Sequence, residues 1–530
     1  MYDLLIQNGK IIDGTGSAAY AADVAAVNGE IVAIGKLEGE AAKTVDAQGM
    51  VVSPGFIDLH THTDLSFLLD STAQSKVRQG VTLELAGNCG GSPGAPLEGE
   101  AMEALETRLS EYPDAFEISW DDFGGYLDAI ERAGATLNVA VQVGHGTVRS
   151  CVLGMESRAP DGSEMDRMKE LVAESLDAGA MGFSTGLFYA PGSYARLEEV
   201  IELASVVASR GKVYSTHMRD EGTQNIGLMV AVNEAVEVGR RTGVRVEISH
   251  VKCKGPAVWG KAGDVLDLIE RSRREGIDVA GDQYPYTASS TGLTGALFPR
   301  WSLVGGREAT LARMADSGER SRMLSDVDDF YTEYGGSDRV VIARYVPEPS
   351  YEGMSMFQIA DSLNFTSAEA ALNLYEQDAG QVIVHAMNED DLDLVASHPL
   401  ISVASDGTSL SVEGILSAGR PHPRHYGTYP RFLAQFVREK KLVTLEEAVR
   451  RMTTLPASRM GVTRRGRIAP GFGADMVVFD PDTVADTATF ESPHSYPVGI
   501  PHVAVNGVLV IEGGEFTGAT PGRVVRDFGD

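Results

Sequence analysis

Residues 55–62 read GFIDLHTH, an apolar, β-branched run that stops in a pair of histidines. The same design recurs along the chain. Val81–Cys89 is VTLELAGNC, Leu137–His145 is LNVAVQVGH and Ala180–Thr185 is AMGFST. Lys212–His217 is KVYSTH and Arg245–His250 is RVEISH. Asp278–Tyr286 (DVAGDQYPY) and Ile401–Asp406 (ISVASD) bring the set to eight. Six of the seven intervals between their ends are about 30 to 55 residues, and they hold amphipathic stretches such as LVAESLDAGA and DVLDLIERSRREGI. Strand alternating with helix at that spacing specifies a parallel sheet. Near-continuous apolar runs suit strands buried on both faces. Eight such units predict an α/β chain folded as a (β/α)8 TIM barrel.

The seventh interval is about 120 residues long. It predicts an insertion between strands seven and eight, over 300–375, with a strand of its own at Arg339–Tyr345. The two chain ends differ from the middle. LLIQNGKIIDG and ADVAAVNGEIVAIG alternate about Asn-Gly turns, as hairpins do. ADMVVFD and VAVNGVLVIEGGEF repeat that pattern near the other end. Neither end has apolar residues enough for a core. Together they predict one small β-sandwich of 1–54 plus 464–530, interrupted by a barrel of 55–299 plus 376–463.

Composition narrows the function. The 530 residues are 43% hydrophobic and 23% charged, which excludes a mainly disordered chain. Lys and Arg number 45 against 75 Asp and Glu, a net charge of −30. Such a surface repels phosphate and argues against nucleic acid as a partner. No apolar run reaches the roughly 18 residues of a membrane span. The start, MYDLLIQNGK, lacks a basic and then apolar leader, so no signal peptide is expected. Cys89, Cys151 and Cys253 are three cysteines in a long chain. They point to a reducing, cytoplasmic setting rather than a disulfide framework.

In this kind of barrel the active site is built at the carboxyl ends of the strands. Strand one ends in His60 and His62, two apart and so on one face of a strand. Strand two ends in Cys89, strand five in His217, strand six in His250 and strand eight in Asp406. One histidine at a strand end is more often a hydrogen-bonded core residue. Four histidines, a cysteine and an aspartate on one face make a set suited to zinc.

Longer motifs carry a resemblance. GFIDLHTHTD at 55–64 resembles the metal-binding start of the amidohydrolase superfamily, and RGRIAPGFGADMVVFD at 465–480 resembles its return to the β-sandwich. GNCG at 87–90, GHGTVR at 144–149, STGLFYAPG at 184–192, THMRDEG at 216–222 and SHVK at 249–252 continue the series. So do YPYTASST at 284–291, ASDG at 404–407, HPRHYGTYPR at 422–431 and TGATPGR at 517–523. In this order they resemble the D-aminoacylases, the N-acyl-D-amino-acid deacylases.

That resemblance implies zinc-dependent hydrolysis of a small N-acyl-D-amino acid to a carboxylate and a free D-amino acid. It implies that Cys89, His217 and His250 hold one tight zinc, and that His60, His62 and Asp406 line a second, weaker position. Many binuclear relatives bridge their metals with a carboxylated lysine on strand four. AMGFST has no lysine, and in the D-aminoacylases a strand-two cysteine takes up that task. Asp406 matches the family's catalytic aspartate, which takes the proton of the attacking water and passes it to the leaving amine.

The resemblance also assigns the substrate side. Lys252, two residues after His250 and so expected on the same strand face, and Arg424, in the loop after strand eight, are expected to clamp the α-carboxylate. Tyr284, Ser289 and Tyr189 are expected to bind it or close the pocket, with Tyr284 and Tyr286 equally open to a mere packing role in the YPY turn. His145 is as open to a structural role as to a catalytic one, His385 is expected in the core, and Cys253 is expected to face away from Lys252. Two positions depart from the family pattern. Gly91 stands where a larger residue such as Phe is expected, which widens the pocket floor or loosens the loop carrying Cys89. Arg300 replaces a common proline and is a candidate contact for an acidic side chain. Two rival readings remain: an amidohydrolase acting on a cyclic amide, an imide or an N-acyl dipeptide, and a non-catalytic scaffold derived from one. The missing strand-four lysine and the Lys252–Arg424 pair weigh against the first, and the intact ligand set against the second. The sequence leaves the oligomeric state open.

Overall fold

The computed structural model describes residues 1–109, 112 and 116–530. The eight apolar runs form strands at Phe56–Asp58, Val81–Ala86, Asn138–Gly144, Gly182–Gly186, Val213–His217, Arg245–Ile248, Val279–Gln283 and Ile401–Val403. Each pairs in parallel with the next, in chain order. Strands two to five and seven are buried along their whole length, as unbroken apolar runs require.

The sheet closes just beyond its assigned strands. Asp406 N–H donates to the His60 carbonyl and His62 N–H to the Gly407 carbonyl, both at 2.9 Å. Residues Thr61 and Gly407 form a parallel bridge there. The seam of the barrel therefore runs through candidate site residues, and the fold is a TIM barrel.

The helices follow from amphipathic spacing. Ala262–Arg274 buries Ala262, Val265, Leu266, Ile269 and Ser272, a stripe at intervals of three and four. Gly162–Asp177 opens on a capping box, with the Asp161 side chain accepting from the Glu164 backbone.

The two chain ends share one nine-stranded sheet. Tyr2–Ile11, Tyr20–Val27, Glu30–Gly35, Ala41–Asp46 and Val51–Pro54 come from one end. Met476–Phe479, His502–Val505, Val508–Glu512 and Glu515–Phe516 come from the other. Val51–Pro54 joins them by pairing antiparallel with Met476–Phe479. At the Asn28-Gly29 turn both residues have positive φ, 52° and 80°, which a two-residue hairpin of this type requires. A hydrophobic cluster including Leu4, Ile6, Val24, Val52, Met476, Val478 and Leu509 serves this sheet.

Between strands seven and eight the chain builds a three-stranded antiparallel sheet from Ser289–Gly292, Val340–Arg344 and Gln381–Val384. Its helices enclose a separate cluster that runs from Leu293 to Ala386 and includes Phe298, Met323, Tyr334, Ile342 and Leu372. Ser289, Thr291 and Gln381 face the cavity at the barrel mouth, so this unit forms part of its roof. Among the described residues no helix is long and apolar enough to cross a membrane.

Candidate active site

Three strand ends turn inward on unusual backbone. Cys89, His250 and Asp406 have φ of 52°, 38° and 50°, the left-handed region that side chains other than glycine occupy at a cost of roughly 1–3 kcal/mol each. Glycines make room for the first of these turns. A Cβ on Gly90 would lie 2.4 Å from the Gly186 nitrogen, and one on Gly87 would lie 2.1 Å from the Gln142 carbonyl oxygen.

The six residues expected from the strand ends converge. Cys89 Sγ lies 3.3 Å from His60 Nε2 and 3.5 Å from His250 Nε2. His250 Nε2 lies 3.0 Å from His217 Nδ1. Asp406 Oδ1 is 3.4 Å from His60 Nε2 and 3.0 Å from His62 Nε2. Two sets of potential ligand atoms each fall within 4.8 Å: His60, Cys89, His250 and Asp406 in one, His217, Glu221 and His250 in the other. His250 belongs to both, so the expected trio of Cys89, His217 and His250 spans the two sets. His62 reaches the cluster through Asp406.

Sequence reasoning passed over four participants. Glu221 lies 3.0 Å from His250 Nδ1 and 3.6 Å from His217 Nε2, and it accepts from Lys252 at 2.5 Å. Its signal was a carboxylate four residues after a candidate ligand, inside THMRDEG. Asp282, on strand seven, faces His60 Nδ1 at 3.1 Å and accepts the His250 backbone N–H at 2.8 Å. This fixes the His60 ring and leaves Nε2 pointing at the cluster. Lys76 is buried between Asp58 at 3.0 Å and Glu84 at 2.9 Å, and donates to Ser405 Oγ at 2.7 Å, which anchors the residue before Asp406. Lys254 is buried on the wall of the same cavity, 5.1 Å from the Phe188 ring centre.

Burial sets the protonation states. It lowers His60 to about 3 in spite of Asp406, and it also lowers His217 and His250. Burial, reinforced by Asp406, pushes the Cys89 thiol well above its ordinary value. It raises Asp282 to about 7. For Asp406 burial works in the opposite sense, yet Arg424 and the histidines outweigh it and hold the carboxyl well below its usual range. Glu221 is likewise held down by Lys252 and two histidines against the effect of burial. His217 Nε2 is buried with no hydrogen-bond partner, Glu221 standing off at 3.6 Å. Neutral imidazoles, an unpartnered ring nitrogen, two ionised carboxylates and a thiol form a donor set that fits a divalent cation such as zinc, and such an ion would draw the proton from the thiol.

On the substrate side, Lys252 and Arg424 both approach Tyr284. Their charged groups lie 5.7 and 4.8 Å from its ring centre. The Tyr284 hydroxyl is buried without a partner. Tyr286 instead lies beneath Arg431 and donates to the Pro423 carbonyl. Each cation already meets a carboxylate: Lys252 meets Glu221, and Arg424 meets Asp406 Oδ2 at 2.7 Å. Strand alternation does not bring Lys252 here, because strand six ends at Ile248 and His250 turns the chain. Ser289 lines the cavity, whose volume is about 280 Å³. Tyr189 stands edge-on to His217 at 4.7 Å and accepts from the Thr291 hydroxyl at 3.0 Å.

Other positions lie outside this cluster. His145 Nε2 meets Glu199 at 2.8 Å, and Arg149 meets the same carboxylate at 2.6 Å, in a buried ion pair. Arg300 lies 4.3 Å from the Phe188 ring centre and donates to the Phe298 and Gly295 carbonyls. It lines a neighbouring cavity. Cys253 is buried in the barrel's hydrophobic cluster. His385, expected in the core, is only half-buried, because it sits at the end of a short strand and packs edgewise on Phe490.

Comparison with known proteins adds to this geometry. Residues 43–251 and 368–511 match the amidohydrolase family. An N-acyl-D-glutamate deacylase of Alcaligenes xylosoxydans xylosoxydans is 38% identical over 527 residues, covering 99% of this chain and 96% of the relative. A D-aminoacylase of the same organism is 36% identical over 525 residues, covering 99% and 97%. Among solved structures, an N-acyl-D-glutamate deacylase from Bordetella bronchiseptica is 36% identical with a TM-score of 0.84, covering 99% of this chain and 100% of that one. That structure holds zinc and a phosphonate inhibitor that mimics the tetrahedral intermediate of its reaction.

Proposed function

This chain belongs to the D-aminoacylase branch of the amidohydrolase family, and we propose that it hydrolyses N-acyl-D-amino acids to a carboxylate and a free D-amino acid with zinc as its cofactor. Cys89, His217 and His250 hold the tight zinc. His60, His62 and Asp406 line a second, weaker position, and Glu221 and Asp282 orient the rings. When bound, zinc supplies positive charge that polarises the scissile carbonyl and makes the attacking water more acidic.

The chain's own groups do the rest. Asp406 Oδ1 takes the proton of the water as it attacks the amide carbon and gives it to the leaving nitrogen. Arg424, on the other carboxylate oxygen, keeps Asp406 ionised until that transfer. Lys252 and Arg424 hold the substrate α-carboxylate from two sides of Tyr284, and the unpaired Tyr284 hydroxyl and Arg424 Nε supply donors to it. Tyr189 and Ser289 close the pocket.

The observation that carries this reading is the pairing of the ligand cluster with two cations about one tyrosine, a few ångströms apart. The D preference draws on the relatives, which are named for D-amino acids. Three free cysteines suit the cytoplasm. The test is a screen of N-acetyl-D- and N-acetyl-L-amino acids, cyclic imides and N-acyl dipeptides with zinc-loaded protein. Hydrolysis confined to the D series is expected. Equal turnover of the L series, or preference for a cyclic imide or dipeptide, would overturn the reading. Metal analysis of Cys89→Ala should show most of the zinc gone, and full retention would remove Cys89 from the ligand set.

A further inference from the structure

A second cavity of about 410 Å³ adjoins the metal-site cavity. The two share Cys89, Gly91, Pro93, Arg108 and Tyr189 as walls. Gly91 stands at the junction. It is not among the glycines with positive φ, and a Cβ there would meet nothing closer than the Asn88 carbonyl oxygen at 3.8 Å. Gly87 and Gly90 are glycine because the backbone demands it. At Gly91 nothing in the backbone does, and the absent side chain leaves the passage open. The far walls are small or apolar, including Ala101, Ala104, Leu105, Gly146, Ala190 and Pro191.

The direction of the passage identifies what enters it. An amide carbonyl carbon carries its nitrogen on one side and its acyl chain on the other. In the reading above, on which this inference rests, the nitrogen side reaches toward Lys252 and Arg424, after strands six and eight. The second cavity lies toward the carboxyl ends of strands two, three and four, just beyond which stand Gly91, Gly146 and Ala190. We infer that this compartment receives the acyl chain, so that the enzyme prefers aliphatic acyl groups longer than acetyl and Gly91 is the residue that admits them. Its walls suit methylenes, each worth about a fourfold gain in kcat/KM when buried.

The experiment measures kcat/KM for the N-acetyl, N-butanoyl, N-hexanoyl and N-octanoyl derivatives of one accepted D-amino acid. The expected result is a rise of at least about tenfold from acetyl to hexanoyl. Gly91→Phe should cut the hexanoyl-to-acetyl ratio by a similar factor. Ala104→Trp should do the same from the far wall, on an exposed helix position where folding is not at stake. A flat or falling chain-length series would overturn the inference and leave the deacylase reading intact, and so would equal losses on both substrates in both variants. If no N-acyl-D-amino acid is turned over, the deacylase reading fails by itself. The compartment is then judged by calorimetry with acetate and hexanoate: tighter hexanoate binding that Gly91→Phe abolishes supports it, and equal binding overturns it.

Discussion

A ring of polar groups at the foot of the barrel and the polar groups at its mouth are handled in opposite ways. At the foot, Asn138 begins strand three and meets the sheet formed by the chain ends. Asn138 Nδ2 donates to Asp475 at 3.3 Å, and Asn506 donates its backbone N–H to Asp475 at 2.8 Å and its amide to Asn138 at 2.8 Å. Arg465 completes the ring by pairing with Asp475 and donating to Asn506 at 3.1 Å. At the mouth, His217 Nε2, Tyr284 Oη and Arg424 Nε are buried without partners, and Cys89, His250 and Asp406 hold left-handed backbone. Buried polar groups are nearly always paired, so orphans clustered about the metal ligands mark where a ligand belongs. The foot ties the chain ends to the barrel, while the mouth gives up stability to keep its donors available.

The largest effect expected from breaking this contrast lies at Asp406. Asp406→Asn keeps the shape but no longer accepts the proton. The rate should fall by about 10²- to 10⁴-fold with the tight zinc retained. A variant near the wild-type rate would refute the assigned base and, with it, the claim that the mouth's charges serve chemistry.

At the foot, Asp475→Ala leaves Arg465 buried without its carboxylate. Loss of one partner of a buried pair costs about 3–5 kcal/mol. Denaturant unfolding should show that loss, while kcat/KM per folded molecule stays near wild type. A tenfold drop in kcat/KM with little loss of stability would erase the distinction between the two ends.

Arg424 sharpens the contrast within the mouth, since it touches both Asp406 and the space assigned to the substrate carboxylate. Arg424→Met should lower kcat/KM for N-acetyl-D-amino acids by about 10- to 150-fold, the effect of one lost charge-assisted bond. The corresponding amides lack the carboxylate, so whatever loss they share reports on Asp406 alone. Equal losses on acid and amide would remove Arg424 from the clamp.

How much of this was legible differs along the same line. The eight strands were readable because burial on both faces writes itself as β-branched apolar runs. Cys89, His217, His250 and Asp406 were readable because each ends such a run. Glu221 and Asp282 were not. Glu221 lies in a loop beyond strand five, and Asp282 looks like any charged residue in a sequence until strand seven curls it toward His60. Lys252 was placed by strand alternation, yet it reaches the site through the turn at His250. In the excursion between strands seven and eight, charge drew attention to 300–375, whereas the hydrophobic cluster runs from Leu293 to Ala386. Its first and last strands in chain order, SSTG and QVIV, are too short to show a period of two.

The smallest effect concerns acid and separates the mouth from the foot without touching the reaction. His425 lines the metal-site cavity, with its Nδ1 2.7 Å from the Thr408 nitrogen and 3.1 Å from the Thr408 carbonyl oxygen. Burial first, then Arg424 and Lys76, lowers it to about 3. In the unfolded chain the same ring takes up its proton near pH 6.5. Between those values the unfolded state binds a proton that the folded state refuses. The stability His425 contributes is therefore complete above about pH 6.5 and declines as pH falls, by about 1.4 kcal/mol per unit, or about 2 kcal/mol by pH 5. His60 and His422 are depressed by burial in the same direction and steepen the decline of the wild type. His425→Asn keeps an acceptor for Thr408 but has no proton to take. Urea unfolding of both proteins at pH 7 and pH 5 should show the variant gaining about 2 kcal/mol on the wild type over that range, the terms common to both cancelling in the difference. A gap that is the same at both pH values would mean that His425 is protonated in the fold, and acid sensitivity would then no longer distinguish the mouth from the foot.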